Sequence, residues 1–216
     1  MLFFLLAFPA LFSIVNPLGG AFIFLSATER FHPSLRETLA RWVAIYSLII
    51  INMSFYVGAY VLTFFGISVP VLRVAGGIVI ALAAWKMLNN DEQKDSSREQ
   101  SAELPAGDTL RRMAFYPLTM PLTTGPGTIS VAVSLGANRP SEFAEGQLLW
   151  FMVQTTLASI LLCAIIYILY RHADRISHII GATGTAVIMR LSAFLLFCIG
   201  IQIYMEIGRA SCRERV

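Results

Sequence analysis

The sequence predicts an all-α membrane protein: six transmembrane helices forming two inverted three-helix repeats, with the first and fourth helices broken by proline and glycine. Three observations lead there. The chain of 216 residues is 56% hydrophobic and 13% charged, with a mean hydropathy of +0.69, and its apolar runs exceed the roughly 20 residues that cross a bilayer. Its connections alternate between rich and poor in Lys and Arg. Two apolar runs, one in each half, carry a Pro/Gly interruption near the middle.

The first span covers residues 2–25, within a stretch free of charge from residue 1 to residue 28, and is interrupted by Asn16, Pro17, Leu18, Gly19 and Gly20. It lacks a basic n-region and a small-x-small cleavage site, so it reads as a retained helix and not a signal peptide. The second span covers 41–64 and the third 69–88, joined by a tight turn at Gly66, Ser68 and Pro70. Residues 89–112 are rich in Asp, Glu, Gln, Ser and Lys without any binding motif, and read as a flexible cytoplasmic linker. The fourth span, 113–135, contains Thr123-Thr-Gly-Pro-Gly-Thr128; the fifth covers 147–170 and the sixth 186–205. Residues 1–88 are then the first repeat and 113–205 the second. Hydrophobicity stops at Glu206, and residues 206–216 read as a non-native tail, a read-through or engineering scar.

Topology follows from the basic residues. Connections after spans one, three and five carry Arg30, Arg36, Arg41, Lys86, Lys94, Arg98, Arg111, Arg112, Arg171 and Arg175, whereas those after spans two and four carry only Arg139. By the positive-inside rule the first set is cytoplasmic and both termini face outward. Arg209, Arg213 and Arg215 break that rule, which is a second reason to set the tail apart. Three spans per copy is an odd number, so the second copy is inverted and a pseudo-two-fold axis lies in the membrane plane. The third span begins Leu72-Arg-Val-Ala-Gly-Gly and the sixth Met189-Arg-Leu-Ser-Ala-Phe; Gly66 stands seven residues before Arg73, and Gly184 six before Arg190. Cys163 and Cys198 lie in apolar spans and Cys212 in the tail, which is no disulfide framework.

Breaks in a membrane helix are costly, because proline removes a donor and freed N–H and C=O groups must be met inside the protein. Broken helices at matching places in two halves are the sequence pointer to a transporter's binding site. Half-helix N-termini with partial positive charge and half-helix C-termini offering carbonyls suit the carboxylate and ammonium of a zwitterion. The candidate substrate-binding residues are therefore Ser13, Asn16, Pro17, Gly19 and Gly20 with Thr123, Thr124, Gly125, Pro126, Gly127 and Thr128. A plainer alternative is that Pro and Gly only kink helices or permit close packing. Arg73 and Arg190 are candidate alternating gates, the alternative being snorkelling to the interface. Gln154 and Gln202 read as interhelical hydrogen-bonders, and Trp42, Trp85 and Trp150 as interfacial anchors.

No Asp or Glu lies at mid-depth in any span, which speaks against a proton relay through a buried carboxylate. Sodium held by carbonyls and hydroxyls at the breaks stays open, as does uncoupled exchange; no other cofactor is indicated. His32, His172 and His178 lie in or near cytoplasmic loops with no buried acid beside them, so no metal or catalytic centre, and no enzyme, is expected. The expected partners are the lipid bilayer and a small-molecule substrate, without nucleic acid.

Four ordered motifs together resemble the MarC family of bacterial inner-membrane proteins. They are Asn16-Pro-Leu-Gly; Phe-Gly-Ile-Ser-Val-Pro-Val-Leu-Arg-Val-Ala-Gly-Gly at 65–77; Pro-Leu-Thr-Met-Pro-Leu-Thr-Thr-Gly-Pro-Gly-Thr-Ile at 117–129; and Ile-Met-Arg-Leu-Ser-Ala-Phe-Leu-Leu at 188–196 with Gly200 and Gln202. The resemblance covers all six spans and implies a bacterial inner-membrane location. It also implies an architecture similar to the LysE-type amino acid exporters, and with it transport of a small neutral amino acid, in the export direction. Where the family continues apolar for a few more residues, this chain turns polar at Glu206.

The expected function is thus secondary transport of a small neutral amino acid. The alternative is a non-transporting membrane scaffold or sensor with a transporter-like fold, and a channel ranks third because no carbonyl-ring or charged filter motif is present. Substrate identity, coupling ion and oligomeric state are not legible.

Overall fold

The computed structural model describes residues 2–89, 107–137 and 145–213, and among these no strand occurs. In chain order the helices are α1 (Leu2–Val15), α2 (Pro17–Ala27), α3 (Pro33–Tyr56), α4 (Gly58–Phe64), α5 (Val69–Asn89), α6 (Gly107–Met113), a π-helical segment (Ala114–Thr123), α7 (Pro126–Ala137), α8 (Glu145–Arg171) and α9 (Ala173–Arg213). Most of the expected linker, the connection holding Arg139 and the last three residues of the tail lie outside the described residues. The final part of that linker is helical, as α6, and α9 continues through Glu206 to Arg213.

Among the described residues five stretches are long and apolar enough to cross a membrane: Phe3–Ala27, Pro33–Tyr56, Val69–Asn89, Leu148–Arg171 and Thr183–Ile203. The fourth span, expected to be broken, is divided between the π-helical segment and α7 and is not among the five. Pro117, Pro121 and Pro126 deny the backbone three donors within ten residues, so one continuous α-helix cannot form. The 12 residues of α7 reach about 18 Å, short of the roughly 30 Å of hydrocarbon. In α9 the apolar part follows Gly181, whose φ of 75° and ψ of 169° interrupt the helix. That glycine, and not Gly184, shares the positive φ of Gly66 before α5.

Packing follows the rules of a bilayer, where lipid is as apolar as leucine and close approach and hydrogen bonds must hold helices together. α5 and α9 form the most extensive helix pair. A methyl on Gly77 would lie 2.9 Å from the Gly200 carbonyl oxygen, and one on Gly200 would lie 2.7 Å from the Ala81 nitrogen, so only glycine permits this approach. α3 pairs with α8 through polar groups: Asn52 Nδ2 donates to Ser159 Oγ at 3.0 Å, and Tyr56 Oη meets Thr155 Oγ1 at 3.1 Å. Gln154 Oε1 accepts from the Phe4 N–H at 3.4 Å, joining α8 to the start of α1. Thr28, Ser54, Thr155 and Ser159 each donate to the carbonyl four residues back, which satisfies their hydroxyls within the helix. α7 is enclosed by α3, α4 and α5, while Leu5, Phe64, Trp85, Leu157 and Ile168 face outward. Of the three tryptophans, Trp85 and Trp150 are exposed and Trp42 is half-buried under the Arg111 guanidinium, 4.6 Å from its ring centroid.

Filling the α5–α9 contact should separate the two helices. Gly200→Leu is expected to cost about 1–3 kcal/mol, as overpacking does, and to lower the thermal unfolding midpoint in detergent. Ala75→Leu, on the exposed face of α5, should stay within about 0.5 kcal/mol; equal midpoints for both variants would contradict the close approach.

Candidate functional site

At the first break, Pro17 lacks the N–H that would bond the Ser13 carbonyl, and the chain turns at Asn16 with φ 47° and ψ 66°. Asparagine is among the few non-glycine residues that adopt this left-handed conformation readily. Its N–H closes α1 on the Phe12 carbonyl at 3.0 Å, and its own carbonyl opens α2 by accepting from Gly20 at 2.9 Å. The Asn16 Oδ1 accepts from the Gly19 N–H at 3.3 Å as an N-cap. A methyl on Gly19 would collide with that side-chain amide, so the glycine makes room for the cap.

The second break is built from hydroxyls. Thr119 Oγ1 donates to the Ala114 carbonyl at 2.7 Å and Thr123 Oγ1 to the Leu118 carbonyl at 2.8 Å, each reaching five residues back. The Thr124 N–H bonds the Thr119 carbonyl at 2.8 Å with the same wide spacing. Tyr116 and Met120 leave helical geometry, and the chain passes through Thr124 (φ −119°, ψ 72°) and Gly125 before α7 starts at Pro126. A methyl on Gly125 would sit 2.7 Å from the Pro121 carbonyl oxygen. Thr124 is fully buried and donates to Ser47 Oγ on α3 at 2.8 Å, which ties the break to its neighbour.

The two breaks line one cavity of about 170 Å³. Asn16 and Gly20 come from the first; Thr123, Gly125, Pro126, Gly127 and Thr128 come from the second, and α5 adds Val79, Ile80, Ala83 and Met87 to the lining. Pro17, Gly19 and Thr124 are buried behind this lining and do not border it. Ser13 opens instead into a groove of about 840 Å³ that also holds Arg73, Ser134 and Gln202. There Arg73 Nε donates to Ser134 Oγ, and Ser130 Oγ donates to the Leu72 carbonyl at 2.8 Å. Arg190 is exposed on α9 and borders neither space, so the two candidate gating arginines occupy different settings. Ile14 borders both the groove and the cavity.

Tyr170 and Ser47 are the participants that sequence reading misses. Tyr170, at the end of α8, is 2% exposed. Because Thr123 spends its proton on Leu118, the Tyr170 hydroxyl is the donor in the 2.9 Å contact with Thr123 Oγ1. Its ring stacks on Phe24 with centroids 4.7 Å apart, and a methyl on Gly20 would lie 2.6 Å from its hydroxyl. On its other side Tyr170 borders a cleft of about 530 Å³ lined by Arg36, Glu37, Arg171 and Asp174. Ion pairs cross that cleft, Arg36 to Asp174 at 3.4 Å and Arg171 to Glu37 at 3.1 Å. A tyrosine next to Arg171 and His172 carries only an interfacial signal in sequence, and its partners lie 47 and 146 positions away.

Chemically the central cavity is a space bounded by two helix N-termini, backbone carbonyls, an amide and hydroxyls, with no acidic, basic or histidine side chain among the described residues that line it. Both α2 and α7 begin there, each bringing the partial positive charge of a helix N-terminus, that of α2 partly met by the Asn16 cap on the Gly19 N–H. Such a site attracts the negative end of a small dipolar solute without a fixed countercharge.

Residues 1–209 match the model of the MarC family, described as "MarC family integral membrane protein". The chain is 33% identical over 201 residues to the UPF0056 inner membrane protein MarC of Escherichia coli (strain K12) and, to the same extent, to that of Shigella flexneri, with 89% of this chain and 87% of each relative covered. No solved structure matches it. Motif order, family match and identity across nearly the whole length agree, and the chain belongs to the MarC family of integral membrane proteins.

Proposed function

We propose that this protein is a secondary transporter that moves a small neutral amino acid across the bacterial inner membrane, in the export direction, and binds it in the cavity between the two helix breaks. The observation that carries this reading is the joint lining of one 170 Å³ space by residues of both breaks, without an ionisable side chain. That volume lies below the roughly 300–1,000 Å³ of pockets for drug-sized ligands, which favours a small solute. The carboxylate would face the N-termini of α2 and α7, and the ammonium the carbonyls that end α1 and the π-helical segment. The lining offers no nucleophile paired with a base, and the reading includes no enzymatic step. Coupling to sodium through hydroxyls and carbonyls and uncoupled exchange are both compatible with it.

The inverted-repeat architecture belongs to the same proposal. Its support is that helix pairing is unchanged when the halves are exchanged: α5 meets α9 and α3 meets α8, and α7 lies against α3 and α5 as the α1–α2 pair lies against α8 and α9. Such symmetry supplies alternating access by exchange of the two repeats' conformations. The relatives' description as inner membrane proteins supports the location, and the alternation of basic connections supports outward-facing termini.

Two measurements test these readings. In proteoliposomes with labelled amino acids and separately imposed sodium and proton gradients, Asn16→Val, Pro17→Ala, Thr124→Val and Pro126→Ala should each lower flux roughly tenfold or more, the factor that about 1.4 kcal/mol represents. Unaltered flux in all four correctly inserted variants would remove the site assignment, and absence of saturable flux in the parent together with a co-purifying partner would favour a scaffold. For topology, a single cysteine at Ser97 should react with an impermeant thiol reagent only from the cytoplasmic side and one at Ser68 only from outside; the reverse pattern would invert the assignment.

A further inference from the structure

From the three spaces and the side chains between them we infer that Tyr170 is the gate separating the central cavity from the charged cleft, an inference that rests on the transport reading of that cavity. Tyr170 borders the cleft, while the two residues its hydroxyl abuts, Gly20 and Thr123, border the cavity. One aromatic side chain therefore stands between the two spaces. Phe24, fully buried, backs its ring, and the bond to Thr123 fixes its hydroxyl against the second break. The gate touches both breaks at once, one through Gly20 and one through Thr123.

Opening this end requires the Tyr170 hydroxyl to leave Thr123 and the ring to swing away from Gly20 into the cleft. The absent side chain at Gly20 is what lets the hydroxyl sit so close in the closed state. The ion pairs Arg36–Asp174 and Arg171–Glu37 bridge the walls of the cleft, but each involves a partly exposed partner, and pairs of that kind contribute little. The buried hydrogen bond and the ring stack are the stronger restraints on closure. On the opposite side the cavity meets the wide groove at Ile14, an aliphatic side chain that borders both and holds no hydrogen bond that must break. The structure is accordingly a state shut toward the charged cleft, the end that carries the basic connections.

Thiol accessibility tests the gate without any substrate. In a background with Cys163, Cys198 and Cys212 replaced by serine, Ile80→Cys places a buried reporter in the cavity lining. An impermeant thiol reagent added on the cleft side of oriented vesicles should label it slowly in the parent. Tyr170→Phe deletes only the bond and should raise that rate about fivefold, the population change one buried hydrogen bond supports; Thr123→Val deletes it together with the Thr123–Leu118 bond and should raise the rate at least as much, and Tyr170→Ala should raise it further. Rates equal to the parent in Tyr170→Phe and Thr123→Val overturn the gate, and these two variants decide the matter if Tyr170→Ala fails to insert. Flux without a change in labelling removes the gate and leaves the transport reading standing, whereas labelling that follows Tyr170 in a protein without flux removes the transport reading instead.

Discussion

An amide or carbonyl left open in hydrocarbon costs several kcal/mol, and this constraint governs how the chain interrupts two of its helices. The two breaks meet it by different chemistry. At Asn16 a single side chain in the left-handed conformation caps the new helix, with its own backbone carbonyl serving as the first acceptor. Along 114–123 the backbone makes wide turns and threonine hydroxyls take the Ala114 and Leu118 carbonyls. Neither solution works in isolation, because each break still needs neighbours that exclude lipid. α3, α4 and α5 supply them around α7, and α8 and α9 supply them around α2.

The same constraint sorts the remaining polar groups. Some hydroxyls donate to the preceding turn and ask nothing of their neighbours, as Thr28 and Ser54 do. Those that reach across helices mark places where two elements must keep a fixed relation: Thr124 to Ser47, Asn52 to Ser159, Tyr170 to Thr123. Two of those three involve the second break. The ion pairs lie at the polar end, where solvent weakens them, so position in the bundle is set by buried neutral contacts and close glycine approaches more than by charge.

Much of this was legible in the chain because its signals are local. Proline and glycine announce a break wherever they fall in an apolar run, and an uncharged stretch of membrane length announces a span, so α5, α8 and both interruptions are legible from residues alone, whereas the second span, expected over 41–64, is α3 from Pro33 to Tyr56 followed by the separate short helix α4. The fourth span is broken where Pro126 and its glycines predict, but the tandem Pro117-Leu-Thr119 and Pro121-Leu-Thr123 adds a segment of wide turns that leaves helical geometry at Tyr116 and Met120, a pattern whose spacing of four is visible in sequence but whose hydroxyl pairing is not. Arg73 and Arg190 look equivalent in sequence, yet one sits in the wide groove and the other does not, since equivalence along the chain does not fix what packs beside each. Tyr170 was invisible for the same reason. Its role depends on Gly20, Phe24 and Thr123 arriving from two distant segments.

Sequence-distant contact also limits how the halves can move. If the repeats exchanged conformations as equal partners, each break would need an equivalent tether, but the first is closed by its own asparagine while the second is tied to α3 through Thr124 and to α8 through Thr123. The second break is therefore the more firmly anchored of the two. Displacement of α2 relative to α7 has to pass Tyr170, which fills the space beside Gly20 and holds Thr123. On the proposed gate the weakly tethered half shifts only when the aromatic group at the end of α8 gives way, so the asymmetry in how the two breaks are satisfied would become an asymmetry in which end of the cavity opens with less loss of contact.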